Sequence, residues 1–187
     1  MAAAVQFREM IPEEGPIPAT MPEGQYLRTV FRPDCDFVDG RIEERNVGEF
    51  EHSRVQHMLD RIFGIHEKEW GVVTNPECRL QVAATRYRIP DLMILPKGRK
   101  YNRVIREAPL LCIEVLSPDD TWAKMRERLD DYVAMGVQHV WCFEPESREV
   151  RIYTATSFDR VTEPELTVPN TPISINIAEV FSALDVE

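Results

Sequence analysis

The sequence lacks any long apolar run. No stretch of the 187 residues approaches the roughly 18 consecutive apolar residues that a membrane-spanning helix needs. The N-terminus also lacks the basic-then-apolar pattern of a secretory signal peptide. We therefore expect a cytoplasmic protein with no membrane partner. A chain of this length, 43% hydrophobic, suffices for one well-packed domain.

Cysteines are few, and several common catalytic motifs are missing. The four cysteines form no CxxC pair, and Cys112 and Cys142 fall in apolar runs, where a free thiol behaves as a small hydrophobic side chain. The chain contains no glycine-rich phosphate loop, no HExxH and no GxSxG. Its four histidines have none of the spacings typical of a metal site.

Basic residues are outnumbered. The chain has 22 lysines and arginines against 32 acidic residues, so its net charge is −10. Non-specific affinity for nucleic acid comes from neutralising phosphates, and this balance argues against a protein that coats nucleic acid by charge alone. One local basic cluster is either a rim for a substrate or a solvated loop; it comprises Lys97, Arg99, Lys100, Arg103 and Arg106.

Two short apolar runs, Ile89–Leu95 and Leu110–Pro118, each carry a single carboxylate. Such runs, bounded by proline or polar residues, are typical of strands buried on both faces. An ionised carboxylate buried alone costs several kcal/mol, so Asp91 and Glu114 must each find a cation, hydrogen bonds or a proton. If the two strands are neighbours, one divalent cation could serve both, because carboxylates about 4 Å apart repel by roughly 4 kcal/mol.

A helix is predicted after the second run. Residues 119–121 supply N-cap candidates and Gly136 a C-cap candidate. Arg128 falls at the rim of the apolar stripe of this helix and Lys124 farther from it, so Arg128 is the better placed of the two basic residues. The stripe comprises Trp122, Met125, Leu129, Tyr132 and Val133.

The first part of the chain carries weaker signals. Residues 1–24 contain four prolines and predict an extended or mobile arm, which leaves residues 25–187 as a single domain. Asp39-Gly40 between apolar residues predicts a hairpin. A helix is expected from about Glu51, where Glu49, Glu51 and His52 either cap the helix or bring an acid into a site.

The ordered set of these segments resembles the putative restriction endonuclease family of bacteria, a divergent branch of the PD-(D/E)XK nucleases. The resemblance is carried by Ile89-Pro90-Asp91, by Glu114-Val115-Leu116-Ser117-Pro118, by the helix end Tyr132–Val137 and by Val140–Glu146. It extends from about Asp39 to Tyr153 and implies an α/β restriction-endonuclease-like fold. In that fold helices flank a central mixed sheet, with extra antiparallel strands.

The resemblance also implies a metal-dependent DNA endonuclease. Asp91, Glu114 and the backbone carbonyl of Val115 are the implied ligands of Mg²⁺ or Mn²⁺. The superfamily lysine is replaced by Leu116 here, and Arg128 stands where this branch moves the lysine onto the helix. Since arginine cannot act as a base, Lys124 or an N-terminal acid could assist, and Arg128→Lys should raise turnover. By analogy with enzymes that cut both strands, a homodimer is expected.

Two other interpretations remain open at this stage. The chain could be a nuclease-like module that binds nucleic acid or protein without catalysis, a reading favoured by Arg128 and the acidic balance. Alternatively, the two carboxylates could be structural and pair only with Arg88 or Arg128. Trp70, Trp122 and Trp141 are interpreted as core residues rather than as platforms for stacking bases.

Overall fold

The chain combines a few helices with many short strands, and the computed structural model describes residues 17–46 and 48–186. The described α-helices are α1 (Glu23–Tyr26), α2 (Phe50–Trp70), α3 (Trp122–Met135) and α4 (Ile177–Phe181), followed by a 3-10 turn (Ser182–Leu184). The described strands are β1 (Cys35–Val38), β2 (Arg41–Glu44), β3 (Val72–Pro76), β4 (Leu80–Ala83), β5 (Arg86–Arg88), β6 (Leu92–Pro96), β7 (Leu111–Val115), β8 (His139–Glu144), β9 (Glu149–Tyr153), β10 (Phe158–Arg160), β11 (Glu165–Thr167) and β12 (Ser174–Asn176).

A six-stranded mixed sheet forms the centre of the molecule, in the order β10-β9-β8-β7-β6-β3. Strands β7 and β8 run parallel and are joined through α3, whereas β6 pairs with β7 in the antiparallel sense. The predicted central mixed sheet flanked by helices is therefore confirmed. Two smaller antiparallel sheets, β2-β1-β5-β4 and β11-β12, extend it.

The two-residue period of the strands divides the core between the faces of the central sheet. Leu92 and Ile94 of β6 pack on the α2 side with Leu59 and Phe63. The alternate residues of β6 pack on the α3 side, in a cluster that includes Met93, Leu95, Cys112, Met125, Leu129 and Tyr132. Glu114 lies two residues after Cys112 in β7 and therefore shares its face, the one that α3 covers.

Helix α3 ends at Gly136, as the sequence predicts. It begins after Thr121, whose side chain accepts a hydrogen bond from the Lys124 N–H, and φ at Gly136 is 101°. Glycine adopts this left-handed conformation without steric cost. Helix α2 begins after Glu49, but the Glu49 side chain makes no capping hydrogen bond. Glu49 thus occupies the N-cap position without capping through its side chain.

The segment before β1 lies against the β1–β2 hairpin, which turns at the predicted Asp39-Gly40. Thr20 forms a bridge with Arg41, and the Met21 N–H donates to the Gly40 carbonyl over 3.0 Å. The part of the predicted arm up to residue 16 lies outside the described residues. All four cysteines are free thiols. No helix in the described part of the chain has the length and apolar character needed to cross a membrane.

Candidate active site

The structure brings Asp91 and Glu114 together at the end of neighbouring strands. In the β6–β7 register Leu92 pairs with Ile113, so the same register places Asp91 opposite Glu114. Both are deeply buried, with 3% of Asp91 and none of Glu114 exposed. Two carboxylates buried side by side require compensating donors, and the structure supplies them from three other segments of the chain.

Arg45, which follows β2, lies between the two carboxylates. Its Nη2 atom is 2.5 Å from Oδ1 of Asp91 and 3.7 Å from Oε2 of Glu114. The Nη1 atom of the same guanidinium is buried and has no hydrogen-bond partner among the described residues. A single side chain therefore provides the positive charge that the two carboxylates share.

The second oxygen of Asp91 is held by the backbone and by helix α2. Oδ2 accepts a hydrogen bond from the Val115 N–H over 2.7 Å, and it lies 3.3 Å from Nε2 of His52. Gly48 makes room for this imidazole, since a Cβ atom at that position would lie 2.7 Å from Nδ1 of His52. The Gln56 amide also donates to the Asp91 carbonyl over 3.0 Å. The first turns of α2 thus fix the position of Asp91.

Helix α3 supplies the partners of Glu114. The Tyr132 hydroxyl donates to Oε1 over 2.6 Å, and Nη1 of Arg128 donates to Oε2 over 3.0 Å. The other arm of the Arg128 guanidinium donates to Oδ1 of Asp120 over 3.0 Å. Asp120 is held in turn by the Ser117 N–H over 2.9 Å. Arg128 and Tyr132 are one helical turn apart, so a single face of α3 covers the buried glutamate.

The surroundings shift the pKa values of the two carboxyl groups in opposite directions. Burial alone would raise the pKa of Asp91, but Arg45, His52 and the Val115 N–H together lower it to about 2. Burial raises the pKa of Glu114 to about 7; Arg128 opposes this shift and the charge of Asp91 adds to it. Burial works to lower the pKa of His52, but the Asp91 carboxylate outweighs it and raises that pKa. Asp91 is therefore the more acidic of the two carboxyl groups.

The remaining candidate residues lie farther out. Lys124 is exposed and lines a cleft together with Arg45, Asp120 and Arg128. Glu49 and Glu51 are also exposed and line an adjoining cleft with His52. Two of the basic residues between β6 and β7 line a different cleft: Arg103 and Arg106 lie there with Leu27, Arg79, Asn102 and Val104.

Two expectations about pairing and packing need correction. Arg88 does not pair with the site carboxylates; it is buried among other acids and donates to Asp36 over 3.1 Å and to Asp131 over 2.8 Å. Trp122 is not a core residue, because 48% of it is exposed, whereas Trp141 is fully buried. Trp122 belongs to the first turn of α3 and contacts the ring of Phe158 on the edge strand β10.

Sequence reasoning missed Arg45 and the hydroxyl of Tyr132. The sequence indicates Arg45 only indirectly. Two ionised carboxylates carry two negative charges, and Arg128 can neutralise only one of them, so a second positive charge is needed. Many basic residues could supply that second charge, and Arg45 lies 46 positions before Asp91 in the sequence. Tyr132 was identified as a core residue of α3, but its distance of four residues from Arg128 also placed its hydroxyl on the same face of the helix.

The donor chemistry of this centre suits a divalent cation. Carboxylate and carbonyl oxygens are the ligands that Mg²⁺ and Mn²⁺ prefer. The chain itself stabilises a cation between Asp91 and Glu114, the guanidinium of Arg45, which stands in for an ion at that position. Within residues 17–46 and 48–186, no third acidic, histidine or cysteine side chain completes a metal-binding cluster with them. With two carboxylates as the side-chain donors, most positions around such an ion would be left to backbone carbonyl or water oxygens.

Comparison with known proteins agrees with this fold. The Uma2 family model, described as putative restriction endonuclease, matches residues 25–186. No curated protein matches. Among solved structures, the crystal structure of a putative nuclease of the DUF820 group from Anabaena variabilis ATCC 29413 is similar. It is 21% identical, with a TM-score of 0.74 over 89% of this chain and 99% of that one.

The mixed sheet, its flanking helices and the carboxylates at the strand ends define a protein with the fold of nucleases. Since the family model covers most of the sequence, the chain belongs to the putative restriction endonuclease family.

Proposed function

We propose that this protein is a metal-dependent endonuclease that hydrolyses DNA phosphodiester bonds at Asp91 and Glu114. The observation that carries the proposal is the convergence of these two buried carboxylates on one cationic position. Family membership supports a nucleic-acid substrate, and open clefts adjoin the site, one lined by Asp91 and His52 and another by Arg45 and Arg128.

In this proposal Asp91, Glu114 and the carbonyl oxygen of Val115 hold Mg²⁺ or Mn²⁺. When bound, the ion supplies Lewis acidity, which lowers the pKa of water and neutralises charge on the phosphate. His52 and the Val115 N–H keep the Asp91 carboxylate oriented and charged. The Tyr132 hydroxyl orients Glu114 from the opposite side.

Arg128 takes the place of the lysine of the family, with a different role. Its guanidinium remains charged in any protein, so it cannot accept a proton. It positions Glu114 and Asp120 by its two arms and places positive charge at the floor of the cleft. Lys124, exposed one turn earlier on α3, is placed to contact a phosphate of the bound strand. Cutting both strands of a duplex would need two such centres, which favours a homodimer.

A second candidate function rests on a different observation. All four carboxylate oxygens of the site already accept hydrogen bonds from the chain. Arg45 and the Val115 N–H donate to Asp91. Tyr132 and Arg128 donate to Glu114. A centre satisfied in this way favours a nuclease-like module that binds its partner without cutting it. That function requires the fold and the cleft but no metal ion.

Cleavage of a supercoiled plasmid distinguishes the two functions. The protein is incubated with Mg²⁺, with Mn²⁺ or with excess EDTA, alongside Asp91→Asn and the surface control Asp159→Asn. Endonuclease activity predicts nicked or linear DNA with a metal ion for the wild type and Asp159→Asn, and none with EDTA or for Asp91→Asn. DNA bound in a gel-shift assay but left intact under every condition would overturn catalysis in favour of the binding module.

A further inference from the structure

Arg45 differs from the other partners of the site in occupying the space between the carboxylates. Its Nη2 atom is within hydrogen-bonding distance of Asp91, at 2.5 Å, and 3.7 Å from Glu114. A metal ion bridging the same two oxygens would occupy the same space. We propose that Arg45 is a displaceable resident cation that competes with the divalent ion for this centre; this inference rests on the proposed function.

The two arginines of the site are anchored in different ways. Arg128 projects from helix α3, and both arms of its guanidinium donate to carboxylates, one on Glu114 and one on Asp120. Arg45 lies in the connection between β2 and α2, and its Nη1 atom has no partner among the described residues although it is buried. An unsatisfied buried donor is unfavourable, so Arg45 loses less than Arg128 when it leaves the centre.

The cleft beside Asp91 offers the displaced guanidinium other acidic partners. Arg45 lines this cleft with Asp34 and Glu77. Rotation of the Arg45 side chain toward these carboxylates would keep its charge compensated while the divalent ion takes over Asp91 and Glu114. The divalent ion then replaces the guanidinium as the positive charge between the two carboxylates, and neither buried carboxylate is left without a cation.

This competition predicts how the affinity for a divalent ion depends on the charge of residue 45. Removing the charge of Arg45 should strengthen divalent-ion binding, because the ion no longer has to displace a guanidinium. Retaining the charge with lysine should keep binding weak. Arg41 provides a matched control, since it lies four residues earlier, is largely exposed and contacts only Glu43 among the described ion pairs.

The test is a calorimetric titration of Mn²⁺ into the wild type, Arg45→Gln, Arg45→Lys and Arg41→Gln without DNA. We expect the Kd for Mn²⁺ to fall by about tenfold or more in Arg45→Gln. Arg45→Lys and Arg41→Gln should stay close to the wild type. Asp91→Asn, combined with Arg45→Gln, should abolish the gain.

Three outcomes would count against the proposal. Equal Mn²⁺ affinity in the wild type and Arg45→Gln, lost in both on Asp91→Asn substitution, would overturn the role of Arg45 and leave the metal centre intact. A gain equally large in Arg45→Lys would show that the positive charge is not what competes. No binding in any variant would overturn the role of Arg45 together with the metal centre.

A second readout covers the possibility that Arg45→Gln folds poorly without metal. Thermal unfolding followed by circular dichroism is measured with and without Mn²⁺, since an ion that binds only the folded state raises Tm. We expect a larger Mn²⁺-induced rise in Tm for Arg45→Gln than for Arg41→Gln. An equal or smaller rise would contradict the proposal.

Discussion

Nη1 of Arg128 lies 3.0 Å from Oε2 of Glu114, so a permanently charged guanidinium contacts the buried glutamate of the site. The family resemblance of the sequence implies that relatives carry a lysine at this place on the helix. A lysine amine can release and accept a proton when its pKa is lowered, whereas a guanidinium cannot. The chemistry available to α3 therefore differs from that of those relatives.

Arg128→Lys should raise metal-dependent cleavage. The amine keeps a positive charge near Glu114 and adds a group able to assist proton transfer, which contributes factors of about 10² or more in favourable sites. Because lysine loses the forked contact with Asp120, we expect a smaller gain, about tenfold in initial rate. The measurement is plasmid nicking, with Arg126→Lys on the exposed side of α3 as the control. An unchanged or lower rate in Arg128→Lys would contradict this assignment.

A second buried arginine predicts a large effect on stability. Arg88 is 1% exposed and pairs with Asp36, Glu43 and Asp131. Arg88→Met leaves the buried Asp36 without its arginine partner and should lower the free energy of unfolding by about 3–5 kcal/mol. Urea unfolding at neutral pH provides the measurement.

The matched control for Arg88 is its near neighbour Arg86. This side chain is 32% exposed and also pairs with Asp131, at 3.1 Å. Arg86→Met should cost about 1 kcal/mol or less, because exposed ion pairs contribute little. Similar losses for Arg86→Met and Arg88→Met would show that burial does not set the strength of this network.

The sequence was sufficient to predict strand β7, which carries Glu114, and strand β6, which begins directly after Asp91. Short aliphatic runs between prolines and polar residues leave few alternatives. The sequence was also sufficient for α3, whose cap and C-terminal glycine are local signals. Arg45 could not be predicted in the same way. Its pairing depends on how the β1–β2 hairpin packs across the sheet, and no local pattern encodes that long-range arrangement.

Trp122 shows a second limit of sequence patterns. Helical spacing identified the apolar face of α3 correctly for Met125, Leu129 and Tyr132, all of which are buried. The same spacing does not show how far the sheet extends beneath the helix. At the first turn of α3 the covering element is the edge strand β10, which leaves Trp122 half-exposed.

This difference between tryptophans predicts unequal costs of truncation. Trp141→Ala removes a fully buried indole and should lower the free energy of unfolding by about 3–5 kcal/mol. Trp122→Ala removes mainly a contact with Phe158 and should cost about 1 kcal/mol. Thermal and urea unfolding of the two variants provide the comparison. A loss for Trp122→Ala as large as that for Trp141→Ala would show that the indole is buried in solution.

His139 predicts a pH dependence of stability. Burial lowers the pKa of this half-buried imidazole below its ordinary value of 6.5. The unfolded chain therefore binds the proton more readily, and stability falls as the pH drops through 6.5 towards the folded-state pKa. Above 6.5 the imidazole is neutral in both states and contributes no slope.

Urea unfolding at about pH 7.5 and about pH 5.5 tests this dependence. We expect the loss of stability between the two pH values to be smaller in His139→Gln than in the wild type, because glutamine does not titrate. Identical losses in the two proteins would assign the pH dependence to other groups.

Anomalous scattering from crystals grown with millimolar Mn²⁺ tests most directly whether Asp91 and Glu114 form one divalent-cation centre, as we propose. We expect an anomalous peak in contact with a carboxylate oxygen of Asp91, a carboxylate oxygen of Glu114 and the carbonyl oxygen of Val115, with Arg45 turned away. Anomalous peaks only at other positions, with Arg45 still paired with Asp91, would contradict this proposal.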